Sequence, residues 1–532
     1  MSDTVDVLII GAGASGAAAA WSLAETRMRI VCLEQGDWPR SDRYASTTRD
    51  WEARRMGEFA YSPNTRRAAA DYPVNDDDSP IKIANYNAVG GATVLFTAHF
   101  PRFHPSDFRV RSLDGVADDW PIDYQTLEPF YAENDRMMGV SGLAGDPAYP
   151  PKTCVLPPLA LGRSGETLAR GFNALGWHWW PSDNATASRD YEGRARCINL
   201  GNCGGGCAQG AKASTDITYW PAAVRAGVEV RTGCRVSEIR CSDAGRATGA
   251  VYFDADGVER FQAAEVVILA ANGVGTPRLL LNSVSRAFPD GLANSSGLVG
   301  RNLMFHPCAV ITGVFDAPQD GQRGPDNWLW SHEFYETDPA RGFVRGYILE
   351  ANRGAGPAQS ALAGLSSGQV TLGADHHASL RRVFDHTVGL VAITEDLPEE
   401  HNRVTLDPVL TDAHGVPAPK ITYRISDNSR RMLDHAVARA GEALRAAGAH
   451  TVRDVTPLAT GGWHLMGTAR MGNDPARSVV NAWGRSHDVK NLFIIDGSVF
   501  VTSAGVNPTC TIQALALYVA DQIKARLASL FD

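Results

Sequence analysis

Long hydrophobic runs are missing from this sequence. No stretch approaches the ~20 apolar residues that a membrane-spanning helix needs, so a transmembrane protein is excluded. Excess positive charge is missing too. Lys and Arg number 50 against 59 Asp and Glu, a net charge of −9 with no basic tract, and no nucleic-acid partner is expected. Cysteine is scarce: nine in 532 residues are too few for a disulfide scaffold. Internal repeats and low-complexity segments are absent. Hydrophobic residues at 44% and charged residues at 20% are ordinary globular usage, which rules out a disordered or fibrous chain. Met1-Ser2-Asp3-Thr4 shows no charged n-region, long h-region or twin-arginine element. The expected location is therefore the cytoplasm, with the periplasm reached only by co-export with a partner.

What is present is an alternation of strand and helix signals, in a chain long enough for about three to four units of ~150 residues. Val5–Ile10 reads as a buried strand, followed by a glycine-rich turn and an Ala-rich helix over Ala17–Glu25; a second short strand, Arg29–Leu33, ends at Glu34. This is a βαβ unit. Asp76-Asp77-Asp78 is expected in a solvated loop, and a cluster of prolines marks a boundary near 145–160. Glu265–Ala271 is another buried strand, with a helix around Arg278–Leu281 after it. From about 308 to 455 the pattern alternates, as in Phe343–Leu349 and Gln369–Leu372, which predicts an antiparallel sheet. Asn428–Ala447 reads as an amphipathic helix, Asn491–Ile495 as a buried strand and Thr511–Leu530 as a closing helix. The expected fold class is α/β. A Rossmann-like nucleotide-binding domain is built from discontinuous segments, 1–110, 205–305 and 456–532. An α+β substrate domain, 111–204 and 306–455, has a mainly antiparallel sheet, and a cysteine loop at 195–212 lies near the boundary.

The turn after the first strand is Gly11-Ala12-Gly13-Ala14-Ser15-Gly16. Gly11 permits the tight turn, Gly13 the close approach of a pyrophosphate, and Gly16 helix–strand packing. Ser15, inside the same turn, counts among the cofactor contacts, and the helix N-terminus offers N–H groups and partial positive charge to phosphate. Glu34 stands where a carboxylate accepts from a ribose hydroxyl and repels a 2′-phosphate. Strand, turn, helix and acid together specify a dinucleotide, without separating FAD from NAD.

Further motifs narrow this. They are Val89-Gly90-Gly91-Ala92-Thr93, Asn272 to Leu280, Gly300-Arg301-Asn302-Leu303-Met304-Phe305-His306-Pro307, Trp463-His464-Leu465-Met466-Gly467-Thr468, Asp496-Gly497-Ser498 and Gly505-Val506-Asn507-Pro508-Thr509. In this order, across essentially the whole chain, they resemble the glucose–methanol–choline (GMC) oxidoreductase family. The resemblance implies an FAD-binding domain made of separated segments, a substrate domain with a large antiparallel sheet, and oxidation of an alcohol. It implies that Gly90 and Gly91 let backbone approach the isoalloxazine and phosphates. Asp496 and the Asn507-Pro508-Thr509 turn would meet the pyrophosphate and the flavin edge. Where some members attach FAD covalently to a histidine this chain has Leu95, and His99 lies too far along, so the FAD is expected to be non-covalent.

Alcohol oxidation needs a hydride acceptor and a base for the hydroxyl proton. His464 has suitable chemistry, with a reference pKa of ~6.5, and Asn507, matching the family's second catalytic position, would hold the substrate oxygen. His306 is read as structural, and His376-His377 as a solvated loop pair. Trp328, Trp330, Phe334 and Tyr335 could stack on a ring but are more often core. The expected substrate is a small-molecule alcohol: a sugar, glycoside or polyol, with an aromatic primary alcohol second.

Cys197, Cys203 and Cys207 lie within eleven residues among glycines, a loop able to fold around a metal cluster. Followed by Gly210-Ala211-Lys212, the spacing resembles the flavoprotein subunits of bacterial membrane-linked sugar dehydrogenases. That likeness implies a [3Fe–4S] cluster relaying electrons to an external acceptor, such as a cytochrome or a small subunit. From the residues alone soft thiolates favour iron–sulfur or zinc: three ligands suit [3Fe–4S], a [4Fe–4S] centre would want a fourth such as Cys154 or Cys234, and zinc would likewise need a fourth. Left open are a loop that binds nothing, an FAD oxidase using oxygen, and a non-redox lyase on the same fold.

Overall fold

The computed structural model describes residues 4–530. Residues 1–3 and 531–532, which hold the start of the expected nucleotide-binding domain and its end, lie outside the described residues. Val5–Ile10 is buried at every position but Asp6, and its β-branched and Leu side chains suit a parallel strand covered on both faces. It pairs in parallel with Ile30–Leu33 on one side and with Glu259–Leu269 on the other. Leu492–Ile494 joins the far edge of Glu259–Leu269, also in parallel, and Glu229–Arg231 extends the opposite side. Ala247–Phe253 and Arg235–Cys241 complete seven strands as an antiparallel meander. The helices Ala14–Ala24 and Thr509–Ala525 pack on each other beside this sheet. The α/β class and the Rossmann-like core are as expected.

A second sheet has six strands, all antiparallel, in the order Thr451–Val455, Cys308–Val314, Thr387–Thr394, Tyr347–Asn352, Leu329–Ser331 and Trp180–Pro181. Successive residues of a strand face opposite sides, and the two faces here differ in kind. Ala309, Ile311, Leu349, Ala351, Leu390 and Ala392 form one face with Met432, Leu433, Ala436, Ala440 and Leu444 of helix Asp427–Ala446. The other face presents Val310, Thr312, Glu350, Asn352, Gly389 and Val391 to a cavity.

Three local expectations fail. Gln369–Leu372 is not a strand; it follows helix Pro357–Ser366, where Gly368 at φ +72° ends the helix and Gln369 N–H donates to Gly364 C=O at 2.8 Å. Its apolar alternation reflects Val370 tucked against Gly364, while Leu372 is 79% exposed. Asp76–Asp78 is no loop but part of an edge strand, Asn75–Asp78, beside Pro417–Thr422. Asp76 is buried because its carboxylate accepts from Ile83 N–H at 3.1 Å. His376 and His377 open helix His376–Val383 rather than sitting in a loop.

Candidate active site

The two sheets enclose a cavity of about 820 Å³. Gly11, Gly13, Ser15, Glu34, Gly91, Asp496, Asn507, Pro508, Thr509 and His464 all line it. Gly16 and Gly90 do not; they are packing glycines. A Cβ on Gly16 would lie 2.1 Å from Gly11 O, and Gly90 N–H donates to Ala12 C=O at 2.8 Å with φ at +96°. Gly91 presses on the first turn, where its Cβ would come 2.8 Å from Gly13 Cα.

These residues fit a dinucleotide. A side chain on Gly13 would enter open space, with nothing within 4 Å. Helix Ala14–Ala24 has no side-chain cap, so its first N–H groups remain available to a phosphate. Glu34 Oε2 accepts from Ala12 N–H at 2.8 Å and Oε1 from Gly36 N–H at 2.9 Å, which aims the carboxylate and leaves lone pairs for a ribose hydroxyl. Asp496 is more fully engaged. It accepts from Ser498 N–H, Asn272 N–H and Thr276 Oγ1, so it ties the end of strand Leu492–Ile494 to the helix that begins at Asn272. Leu95 lines the cavity without a nucleophilic atom. Asn507 lines it with a buried Oδ1 that has no hydrogen-bond partner.

His464 is set by a backbone bridge that sequence reading missed. Met304 and Met466 pair antiparallel through reciprocal hydrogen bonds of 3.0 and 3.2 Å, which brings the residues two steps outward, His306 and His464, opposite each other. Their Nδ1 atoms are 2.7 Å apart. His306 Nε2 lies 2.9 Å from Ala504 O and 3.2 Å from Ser503 O. Carbonyl oxygens only accept, so His306 Nε2 carries the hydrogen and its Nδ1 is the acceptor. His464 then donates from Nδ1, and its lone pair is on Nε2. Burial pushes His306 down to about 4. Burial, then the neighbouring His306, holds His464 well below the usual histidine range. Both rings are neutral at pH 7. Trp328, Trp330 and Tyr335 are buried in the core, and none of these or Phe334 lines the cavity.

The cysteine loop does not form the expected centre. Among the described residues no group of three His, Cys, Asp or Glu side chains is arranged to hold a metal ion. Burial pushes the Cys203 thiol up to about 12. Cys154 lies in a separate recess with Lys152 and Asp183, and Cys234 lines the main cavity instead. What the loop does have is an anchor. Lys212, 1% exposed, donates to the carbonyls of Val94, Phe96 and Cys203 at 2.8, 2.7 and 2.8 Å, tying the loop to a cavity wall. Lys212→Met would leave three carbonyls short of a donor. It is expected to cost about 3 kcal/mol, measured as a lowered Tm with faster loss of bound flavin; an unchanged Tm would show the clamp to be idle.

A nucleotide cradle opening beside a neutral, oriented imidazole is the layout of a flavin-dependent oxidoreductase. The chain belongs to the GMC oxidoreductases: residues 160–308 and 398–516 match that family, and residues 9–72 match an NAD(P)-binding Rossmann-like domain. It is an FAD-dependent oxidoreductase of CH–OH donors. It is 41% identical to 2-methyl-1,2-propanediol dehydrogenase of Mycolicibacterium austroafricanum, over 100% of this chain and 97% of the relative. It is 31% identical to the fructose dehydrogenase large subunit of Gluconobacter japonicus, over 98% of each, and 30% identical to 6'''-hydroxyparomomycin C oxidase of Streptomyces lividus, over 98% and 92%. The structure of pyridoxine 4-oxidase from Mesorbium loti superposes with a TM-score of 0.66 at 17% identity, covering 98% of this chain and 99% of that one, and shares the fold. Among the described residues no helix is long and apolar enough to cross a membrane.

Proposed function

We propose that this chain is a dehydrogenase of a sugar, glycoside or polyol, with His464 as base and an external electron acceptor. The observation that carries this reading is the tautomer of His464, whose Nε2 lone pair is fixed by the His306 contact on a ring that lines the cavity. FAD, when bound, supplies the hydride acceptor. Gly11, Gly13, Ser15, Glu34 and Gly91 would hold it, with Pro508 and Thr509 at the flavin edge. His464 Nε2 takes the substrate hydroxyl proton, and the Asn507 amide holds the substrate oxygen in place. Relatives named for a diol and for fructose support a polyhydroxy substrate, and their naming as dehydrogenases supports an acceptor other than oxygen. A relative named as a large subunit supports an electron-accepting partner such as a small subunit or cytochrome.

Anaerobic addition of sugars and polyols to the yellow holoenzyme tests this. Bleaching of the flavin by at least one is expected, with dye reduction outpacing peroxide formation in air. No bleaching by any alcohol would return the lyase reading, and peroxide keeping pace with the dye would make the protein an oxidase. A [3Fe–4S] cluster on Cys197, Cys203 and Cys207 is supported by their spacing alone and requires the loop to refold around it. About three irons and four sulfides per flavin, on protein purified without air, would establish it.

A further inference from the structure

Beyond His464 the cavity runs along the six-stranded sheet, and that wall carries a buried carboxylate the mechanism does not use. Glu350 is 3% exposed and stands in register with Val391, which in turn faces Val310; all three line the cavity. His99 lies against it, 2% exposed, with Nδ1 2.7 Å from Glu350 Oε1. It is an ion-pair contact without hydrogen-bond geometry. Glu350 Oε1 and both His99 ring nitrogens are left without a properly directed partner. Trp330, the register neighbour of Glu350, meets the His99 ring edge-on at 6.0 Å and 88°, which fixes its place. Buried carboxylates are rare unless paired, and a buried polar group without a partner is costly. This pair is therefore built for a ligand that completes it.

The chemistry of the two groups selects the ligand. An ammonium group could donate to Glu350 but offers nothing to an imidazole N–H. A hydroxyl donates to the carboxylate and accepts from His99 at once. We propose that Glu350, positioned by His99, is the specificity site for a second hydroxyl of the substrate, remote from the carbon oxidised at His464. Glu350 lies two strand spacings, roughly 10 Å, across the sheet from Val310, which is four residues along the chain from His306. The proposal rests on the reading that this cavity oxidises an alcohol.

The test compares 1,2-propanediol, 1,4-butanediol and 1,6-hexanediol with the mono-alcohols of equal carbon number, using anaerobic flavin reduction in the wild type, Glu350→Gln and Glu350→Leu. The wild type is expected to prefer at least one diol by about 10²-fold in kcat/KM. Glu350→Leu should shrink that preference below about threefold, mainly through KM, with mono-alcohol turnover and FAD content retained. Glu350→Gln, which keeps an acceptor, should keep part of it. A preference that survives in Glu350→Leu, or none in the wild type, overturns the proposal. If no alcohol reduces the wild-type flavin, the oxidation reading falls by itself, and binding decides the rest. Flavin difference spectra of His464→Ala titrated with the same diols should weaken on adding Glu350→Leu; equal binding overturns the proposal.

Discussion

Replacing His464 with alanine is expected to slow substrate-driven flavin reduction by about 10²- to 10⁴-fold, the range for loss of a general base, while the protein stays yellow. The ring lines the cavity and is held through Nδ1, which leaves Nε2 as the proton acceptor, so the variant removes proton acceptance without touching the glycine cradle. The pH profile gives a separate check. Protonation of Nε2 would shut the base off, and burial with the His306 contact moves that protonation well below the usual range. The kcat/KM should stay level as pH falls from 8 through ~6.5, where an ordinary histidine would already be half protonated. An acid limb at or above ~6.5 would sink the assignment. His306→Phe, which removes the acceptor that fixes the tautomer, should cost less, about tenfold. Rapid anaerobic mixing reads all three.

The second large effect concerns FAD itself and separates two glycines of one motif. Gly13→Val projects a side chain into space that is open in the protein, with no atom within 4 Å of its Cβ. The fold should be kept, with unchanged circular dichroism, while FAD binding weakens on the order of tenfold or more, that is by about 1.4 kcal/mol at least. Gly16→Ala places a Cβ 2.1 Å from the Gly11 carbonyl oxygen, backbone that cannot step aside without opening the turn. That variant should lose the fold of the cradle as well as the flavin. The same loss from both would mean that Gly13 is a packing glycine too, and its place in the phosphate cradle would be withdrawn. Equilibrium dialysis with FAD, beside thermal melts of the flavin-free proteins, distinguishes the cases.

The strand–turn–helix of residues 5–24 could be read from sequence because its causes are local: a β-branched run, glycines at fixed offsets, an alanine-rich helix. His464 and Asn507 were named from their motifs, yet their setting was not legible. The partner that orients His464 is 158 residues away and meets it only through the Met304–Met466 bridge. Glu350 left a signal that went unread: Tyr347–Asn352 is buried throughout except at its last residue, and a glutamate inside such a strand asks for a partner. In the cysteine loop the spacing was plain, but spacing does not report how the three side chains are turned, and among the described residues they form no metal-holding group. Gln369–Leu372 shows the converse fault, where alternation produced by a helix end imitates a strand.

The central strand Glu259–Leu269 lies between Val5–Ile10 and Leu492–Ile494, and helix Ala14–Ala24 packs against Thr509–Ala525. A ribosome moving at ~5–20 residues per second needs roughly 25 to 100 s to pass from the first of these pieces to the last. Until that last piece emerges the glycine-turn helix packs, among helices, only on Tyr219–Arg225, and Glu259–Leu269 lacks its parallel neighbour Leu492–Ile494. Asp496, Asn507, Pro508 and Thr509 line the same cavity as the glycine turn, so the cradle is complete only once these late residues have been made.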